Sequence, residues 1–172
     1  SYLWKLPITG LRFFTVYGPY GRPDMAYYKF TKSILNKKTI DVYNKGKMYR
    51  DFTYIDDVTK SIELLINKVP KNKSKIKYKY DNLSKVAPFR IINIGNQKKI
   101  FLNKFINLLE KNLKIKAKKK YQPLQKGDVK ETLSNTNLLN NITKFRPNTS
   151  FKFGIKKFID WYKNYYKIKE IN

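Results

Sequence analysis

Apolar positions along the chain follow two spacings, and the changes between them mark the elements. Ile8 to Phe14 (ITGLRFF) is a β-prone run after Pro7 and predicts a strand over 8–14. Tyr17 to Pro23 (YGPYGRP) holds two Gly and two Pro in seven residues and predicts a stiff loop. From Met25 to Lys37, Ala26, Phe30 and Ile34 recur every fourth position, a helical spacing. Ile40 to Tyr43 predicts a short strand stopped by Asn44 and Gly46. A helix is expected over Asp57 to Val69, with Val58, Ile62, Leu65, Ile66 and Val69 on one face and Asp56 as N-cap. Lys68 to Pro88 is polar and reads as an exposed excursion. Arg90 to Ile94 (RIINI) has the pattern of a buried strand ended by Gly95. Leu102 to Leu113 is amphipathic through Leu102, Phe105, Ile106, Leu109 and Leu113. Tyr121 to Thr149 reads as loop, and Phe151 to Ile168 as a final helix with Phe158, Trp161, Tyr162 and Tyr165. No internal repeat is visible.

Strand, helix, strand, helix, strand, helix, loops, helix is the order of an α/β protein. Two features depart from a self-sufficient fold of that class. No Gly-rich phosphate loop follows any strand, and three strands are too few for a sheet covered on both faces. The chain also starts at Ser1, as if partway into an element, so it reads as part of a longer protein.

Composition narrows the chemistry. The chain has 172 residues, 41% of them hydrophobic and 16% aromatic, enough for a core and against disorder. It contains no Cys and no His. That removes disulfide scaffolds, thiol catalysis, Ser-His-Asp hydrolysis and His- or thiolate-bound metals, and no metal site is expected. The longest uncharged run, Thr132 to Thr143, is mostly polar, so no membrane-spanning helix is expected. Lys5 and Arg12 interrupt the apolar start, so neither is a secretory signal. A cytoplasmic protein is the expectation.

Lys and Arg number 38 against 12 Asp and Glu, a formal net charge of +26. Lysines cluster at 68–79 and 111–120, as in a polyanion-binding surface. The alternative is codon bias: Lys, Asn, Ile, Phe and Tyr, all with A/T-rich codons, make up 93 of the 172 residues. Arg, the better residue for base readout and bidentate phosphate contacts, occurs only five times.

Four segments carry candidate chemistry. In RFFTVYGPYGRPDM (Arg12 to Met25) a strand enters a Gly/Pro loop that ends in a cation. Ligands of open α/β sheets bind beyond strand carboxyl ends, where Thr15, Tyr17 and Arg22 would stand. The plainer reading is a structural turn. In RDFTYIDDV (Arg50 to Val58), Asp56 and Asp57 suit a helix start, and Arg50 suits a diphosphate. In QPLQKGDV (Gln122 to Val129), Gly127-Asp128 is either a turn or a carboxylate aimed at a sugar diol. The aromatic, Lys-bearing segment from Phe151 to Ile168 reads as a docked helix rather than one lying on a membrane.

These segments, with NIGN at 93–96 and G-x-x-x-F-x-x-W-Y from Gly154 to Tyr162, occur in order over nearly the whole chain. Together they resemble the C-terminal half of nucleotide-sugar epimerases of the extended short-chain dehydrogenase/reductase superfamily, in particular UDP-glucuronate 4-epimerases. The loosest part of the resemblance is 70–88. It implies an α/β fold in which strands 8–14 and 90–94 complete a Rossmann sheet whose first half lies outside this chain. Segments 1–18 and 50–95 would belong to the dinucleotide-binding domain, and 19–49 and 96–172 to the nucleotide-sugar-binding domain.

The same resemblance implies 4-epimerisation of a UDP-sugar through a 4-keto intermediate, with bound NAD taking and returning a hydride. The family's Gly-rich loop and Tyr-x-x-x-Lys pair would lie in the absent half, so no catalytic residue is expected here and this chain alone should be inactive. Arg50 would grip the diphosphate, Val42 and Tyr43 would pack the uracil or ribose, and Gln125 and Asp128 would meet the ribose or phosphate. Thr15 and Arg22 would face the sugar, with Arg22 pairing a uronate carboxylate, and Tyr17 and Pro19 would wall the nicotinamide. A homodimer is implied for the complete enzyme. UDP-galactose, UDP-N-acetyl sugars and uronate decarboxylation remain open as substrates or reactions, and a basic nucleic-acid-binding domain is the alternative of another class.

Overall fold

The structure, a computed structural model, describes residues 1–71 and 78–168. Lys73, Lys75 and Lys77 of the first lysine cluster fall outside them. Strand β1 (Ile8–Phe13) pairs in parallel with β5 (Phe89–Ile94) over its whole length, Ile8 opposite Phe89 and Phe13 opposite Ile94. The strands expected over 8–14 and 90–94 are therefore neighbours in one sheet. After the Phe14 N–H bond to the Ile94 carbonyl, the chain changes partner. Residues Thr15–Tyr17 form β2, parallel to β4 (Tyr49–Tyr54), and β4 pairs on its other edge with antiparallel β6 (Lys99–Phe101). A third pairing joins β3 (Thr39–Val42) to β7 (Lys118–Tyr121) in parallel.

The helices are α1 (Ala26–Leu35), α2 (Ile55–Ile66), α3 (Leu102–Leu113), α4 (Asn137–Thr143) and α5 (Phe151–Tyr165). Apolar periodicity located α1, α2, α3 and α5 to within a few residues. Four strands and α4 escaped it. β4 reads Tyr-Arg-Asp-Phe-Thr-Tyr, without the strict alternation of a half-buried strand; its last four residues are all buried. β6 and β7 are short and Lys-bearing. Two further expectations are corrected. Helix α2 starts at Ile55 with Tyr54 as N-cap, so Asp56 and Asp57 lie in its first turn, where the helix dipole still favours them. The described part of the 68–88 excursion is anchored rather than free. Leu83 and Ala87 are buried, Asp81 pairs with the enclosed Arg90, and the Asn82 amide bonds the Ile91 backbone in both directions at 2.9 Å, as a neighbouring strand would.

The main core lies between α1, α3, α5 and the β2–β4–β6 sheet. Phe105, Leu109, Ile155 and Phe158 are fully enclosed there, and burying each such side chain contributes roughly 1.5–3 kcal/mol. A smaller cluster joins Val58, Leu65, Ile92, Ile94 and Leu139 between α2, β5 and α4. Helix α5 is docked by Phe158, Ile159 and Tyr162, as the sequence reading expected. Among the described residues no helix is long and apolar enough to cross a membrane.

Candidate functional site

Strand β4 aims Arg50 and Phe52 at one cavity because side chains two apart share a face. The cavity, about 220 Å³, is walled by Met25, Phe30, Met48, Phe52, Ile100 and Leu102, with Thr15, Asp41, Tyr43, Arg50 and Asp128 bringing polar atoms to it. The wall is mostly apolar with a few convergent polar groups, the usual make-up of a small-molecule site. Arg50 donates through Nη1 to the Tyr49 carbonyl (2.8 Å) and through Nη2 to Asp128 Oδ1 (2.7 Å). Asp128 Oδ1 also accepts from the Val129 N–H at 2.8 Å. A guanidinium has five N–H donors and a carboxylate two oxygens. Arg50 thus keeps three donors, and Asp128 keeps Oδ2, for a ligand.

A turn delivers Asp128 to this position: its N–H bonds the Gln125 carbonyl at 3.1 Å, and Gly127 takes a φ of +81° that suits glycine. Gln125 itself is exposed, and its side chain is not part of the cavity wall. Val42 is completely buried within β3 and is not part of the cavity wall, which its neighbour Tyr43 joins. Asp41, missed in the sequence, lines the cavity and accepts from Gln122 Nε2 at 2.9 Å.

A second cavity of about 440 Å³ lies along the loop after β2, lined by Phe13, Phe14, Pro19, Tyr20 and Arg22 among others. Met25 and Tyr27 line both cavities and form the partition. Arg22 stands exposed, with Nε on Asp24 Oδ1 at 3.0 Å and Nη2 on Asp24 Oδ2. The Asp24 hydrogen bond and charge push the guanidinium's pKa up, and the hydrogen bond from Arg22 holds the Asp24 carboxyl below its usual range. No sequence signal marked Asp24 as its partner. Tyr17 is only 1% exposed. Its ring packs on Tyr27, Phe52, Tyr54 and Phe151, and burial, with Asp57 nearby, raises its pKa. A buried aromatic cluster has drawn it inward, so it meets the second cavity only as floor, while Pro19 lies at its wall.

For a dinucleotide cofactor these residues make a partial fit. Half-exposed Phe13 and the Gly18-Pro19 loop suit one face of a flat ring. The turn after β5 does not suit a diphosphate, because the amides of Asn96 and Gln97 already donate to the Asp51 carboxylate. Tyr-x-x-x-Lys spacing occurs on α1 as Tyr28 and Lys32, but Tyr28 bonds the Tyr166 hydroxyl on the far side of α1. Burial, then the Tyr166 bond, raises its pKa, the reverse of what a phenolate base requires. Among the described residues no group of His, Cys, Asp and Glu could hold a metal ion.

Residues 2–80 match the family model for NAD dependent epimerases and dehydratases. Protein CapI of Staphylococcus aureus is 49% identical over 168 residues, covering 97% of this chain and 50% of that protein. The likeness to that family thus rests on residues 2–80, and such relatives extend it over nearly the whole chain. A probable UDP-glucuronate 4-epimerase of Rhizobium meliloti is 41% identical over 169 residues, 97% of this chain and 50% of the relative. The crystal structure of UDP-glucuronic acid 4-epimerase from Bacillus cereus, in complex with UDP-glucuronic acid and NAD, superposes with a TM-score of 0.78 at 29% identity. It covers 95% of this chain and 48% of the other. The chain thus spans about half the length of the curated relatives it matches.

Proposed function

We propose that this chain is the substrate-binding half of an NAD-dependent UDP-sugar 4-epimerase, acting on UDP-glucuronate and UDP-galacturonate. The observation that carries the reading is the Arg50–Asp128 pair at an apolar cavity, with Arg22 on the adjoining loop. In this reading the uracil enters among Phe30, Met48, Ile100 and Leu102. Arg50 gives its remaining donors to the diphosphate, Asp128 Oδ2 accepts from ribose hydroxyls, and Thr15 lies toward the sugar. Arg22 has a full edge of its guanidinium left to receive a carboxylate.

NAD, when bound, supplies hydride acceptance from carbon 4 and hydride return to the other face. This chain's part is to hold the nucleotide firmly and let the sugar turn. Phe13 and Pro19 would exclude water beside the nicotinamide, while the rest of the cofactor, and the phenolate that moves the hydroxyl proton, would belong to the dinucleotide-binding half. Segments 1–18 and 50–95 would pack against that half, and the complete enzyme would be a cytoplasmic homodimer. The test is calorimetric titration of the chain with UDP. Arg50→Ala should weaken binding by roughly ten- to a hundredfold, the worth of a hydrogen bond to a charged group. Unchanged affinity removes the diphosphate role.

A further inference from the structure

Asp51 is fully enclosed in β4, yet no cation pairs with it among the described residues. Burying a charge is costly unless hydrogen bonds satisfy it. Here four do. The Asn96 N–H donates to Oδ1 at 2.9 Å. The Gln97 N–H (3.1 Å), the Ser134 N–H (2.9 Å) and the Ser134 hydroxyl (2.5 Å) all donate to Oδ2. Gly95 leaves room for this arrangement: a Cβ there would lie 3.1 Å from Asp51 Oδ2 and strike Ser134.

One carboxylate therefore joins β4, the turn after β5 and the segment that leads away from Asp128. That segment runs beside β4 as a strap. The Tyr49 N–H bonds the Lys130 carbonyl at 2.9 Å, the Thr132 N–H bonds the Tyr49 carbonyl at 3.1 Å, and the Asp51 N–H bonds the Thr132 hydroxyl at 3.2 Å. The Arg50–Asp128 pair closes one end of the strap, and Asp51–Ser134 closes the other. Arg50 and Asp51 are adjacent on one strand, so their side chains leave it on opposite faces, one to the cavity and one to the clamp.

We infer that Asp51 is a positioning residue for the nucleotide site: by holding Ser134 it fixes the strap so that Asp128 meets Arg50. It touches no ligand, and its effect on UDP affinity rests on the function proposed above. Asp51→Asn keeps the shape but turns an acceptor oxygen into a donor facing donors. Ser134→Ala removes one bond and leaves the carboxylate. Glu110→Gln is the control, because Glu110 is another buried carboxylate, bonded to Lys119 and the Ala117 N–H outside the cavity.

The 172-residue chain and these variants are compared by amide hydrogen exchange over 128–134 and by titration with UDP. Asp51→Asn should speed exchange along the strap and weaken UDP by roughly tenfold or more. Ser134→Ala should move both readouts the same way by less, and Glu110→Gln should lower Tm with UDP affinity unchanged. An Asp51→Asn chain that loses Tm but binds UDP as before overturns the inference. If that variant does not fold, Ser134→Ala decides, and wild-type exchange and affinity there refute it. A wild-type chain that ignores UDP sinks the nucleotide reading instead, and strap exchange alone then decides whether Asp51 holds the strap.

Discussion

In the proposed function Arg22 is the residue that would decide between a charged and a neutral sugar. Asp24 occupies the Nε–Nη2 side of its guanidinium, which leaves the Nη1–Nη2 end able to take a second carboxylate with two parallel bonds. Arg22→Met should therefore reduce affinity for UDP-glucuronate by roughly tenfold while leaving UDP-glucose nearly unchanged. Competition titrations with the two UDP-sugars measure it, and equal losses would make Arg22 a brace for its loop. Residue identity and loop context marked Arg22, Arg50 and Asp128 as candidates, and the structure sets them on the two cavities. Asp24, Asp41 and Asp51 were not so marked, because a lone carboxylate two residues from an Arg, or inside a strand, looks like any other. Their roles are set by partners 2 to 83 positions away.

Among the elements, α5 meets β2 at a contact that only glycine permits. A Cβ on Gly154 would lie 2.7 Å from Tyr17 Cε2 and closer still to its hydroxyl. Gly154→Ala should destabilise the fold by roughly 1–3 kcal/mol, the usual cost of overpacking, read as a lower urea midpoint with unchanged slope. The α3–β7 junction adds a pH effect. Burial pushes the Glu110 carboxyl up, but Lys119, the Ala117 N–H and Lys116 outweigh it and hold the pKa below the ordinary 4.5. A depressed pKa in the fold means stability that is present above pH 4.5 and lost as the pH falls through the lower folded value. Thermal melts of wild type should therefore drop more steeply below pH 4.5 than melts of Glu110→Gln, and parallel curves would contradict the pairing. Helices showed in the sequence because each buries one stripe. β4 did not, since it lies between β2 and β6 and is buried on both faces at its end.

For the whole molecule, the parallel β1–β5 pair is the informative feature. Parallel sheets occur mostly as larger, doubly covered layers. Here β1 has β5 as its one partner among the described residues, and Trp4, Leu6 and Phe13 stand exposed around it. A dinucleotide-binding half is what the proposed function sets against that surface. The expected outcome is that the purified 172-residue chain with NAD does not interconvert UDP-glucuronate and UDP-galacturonate. Chromatographic separation of the two sugars checks it, and turnover would place the chemistry within this chain. The charge of +26 calls for a separate test. If it reflects codon bias rather than a binding surface, retention on immobilised duplex DNA should vanish by about 0.2 M salt, without sequence preference.

The sequence alone determined the α/β class, the four long helices and the absence of His and Cys chemistry, and it marked Arg22, Arg50 and Asp128, which the structure sets on the two cavities. Those features are local: helical periodicity, Gly/Pro stiffness and side-chain type are all written within a few positions. Tertiary structure alone decided that Tyr17 and Val42 are core, that Gln125 serves through its carbonyl, and that Asp51 joins three distant segments. The reason is that burial and hydrogen-bond partners belong to the packed chain. Residues 51, 96 and 134 become neighbours only when β4, the turn after β5 and the strap close around one carboxylate.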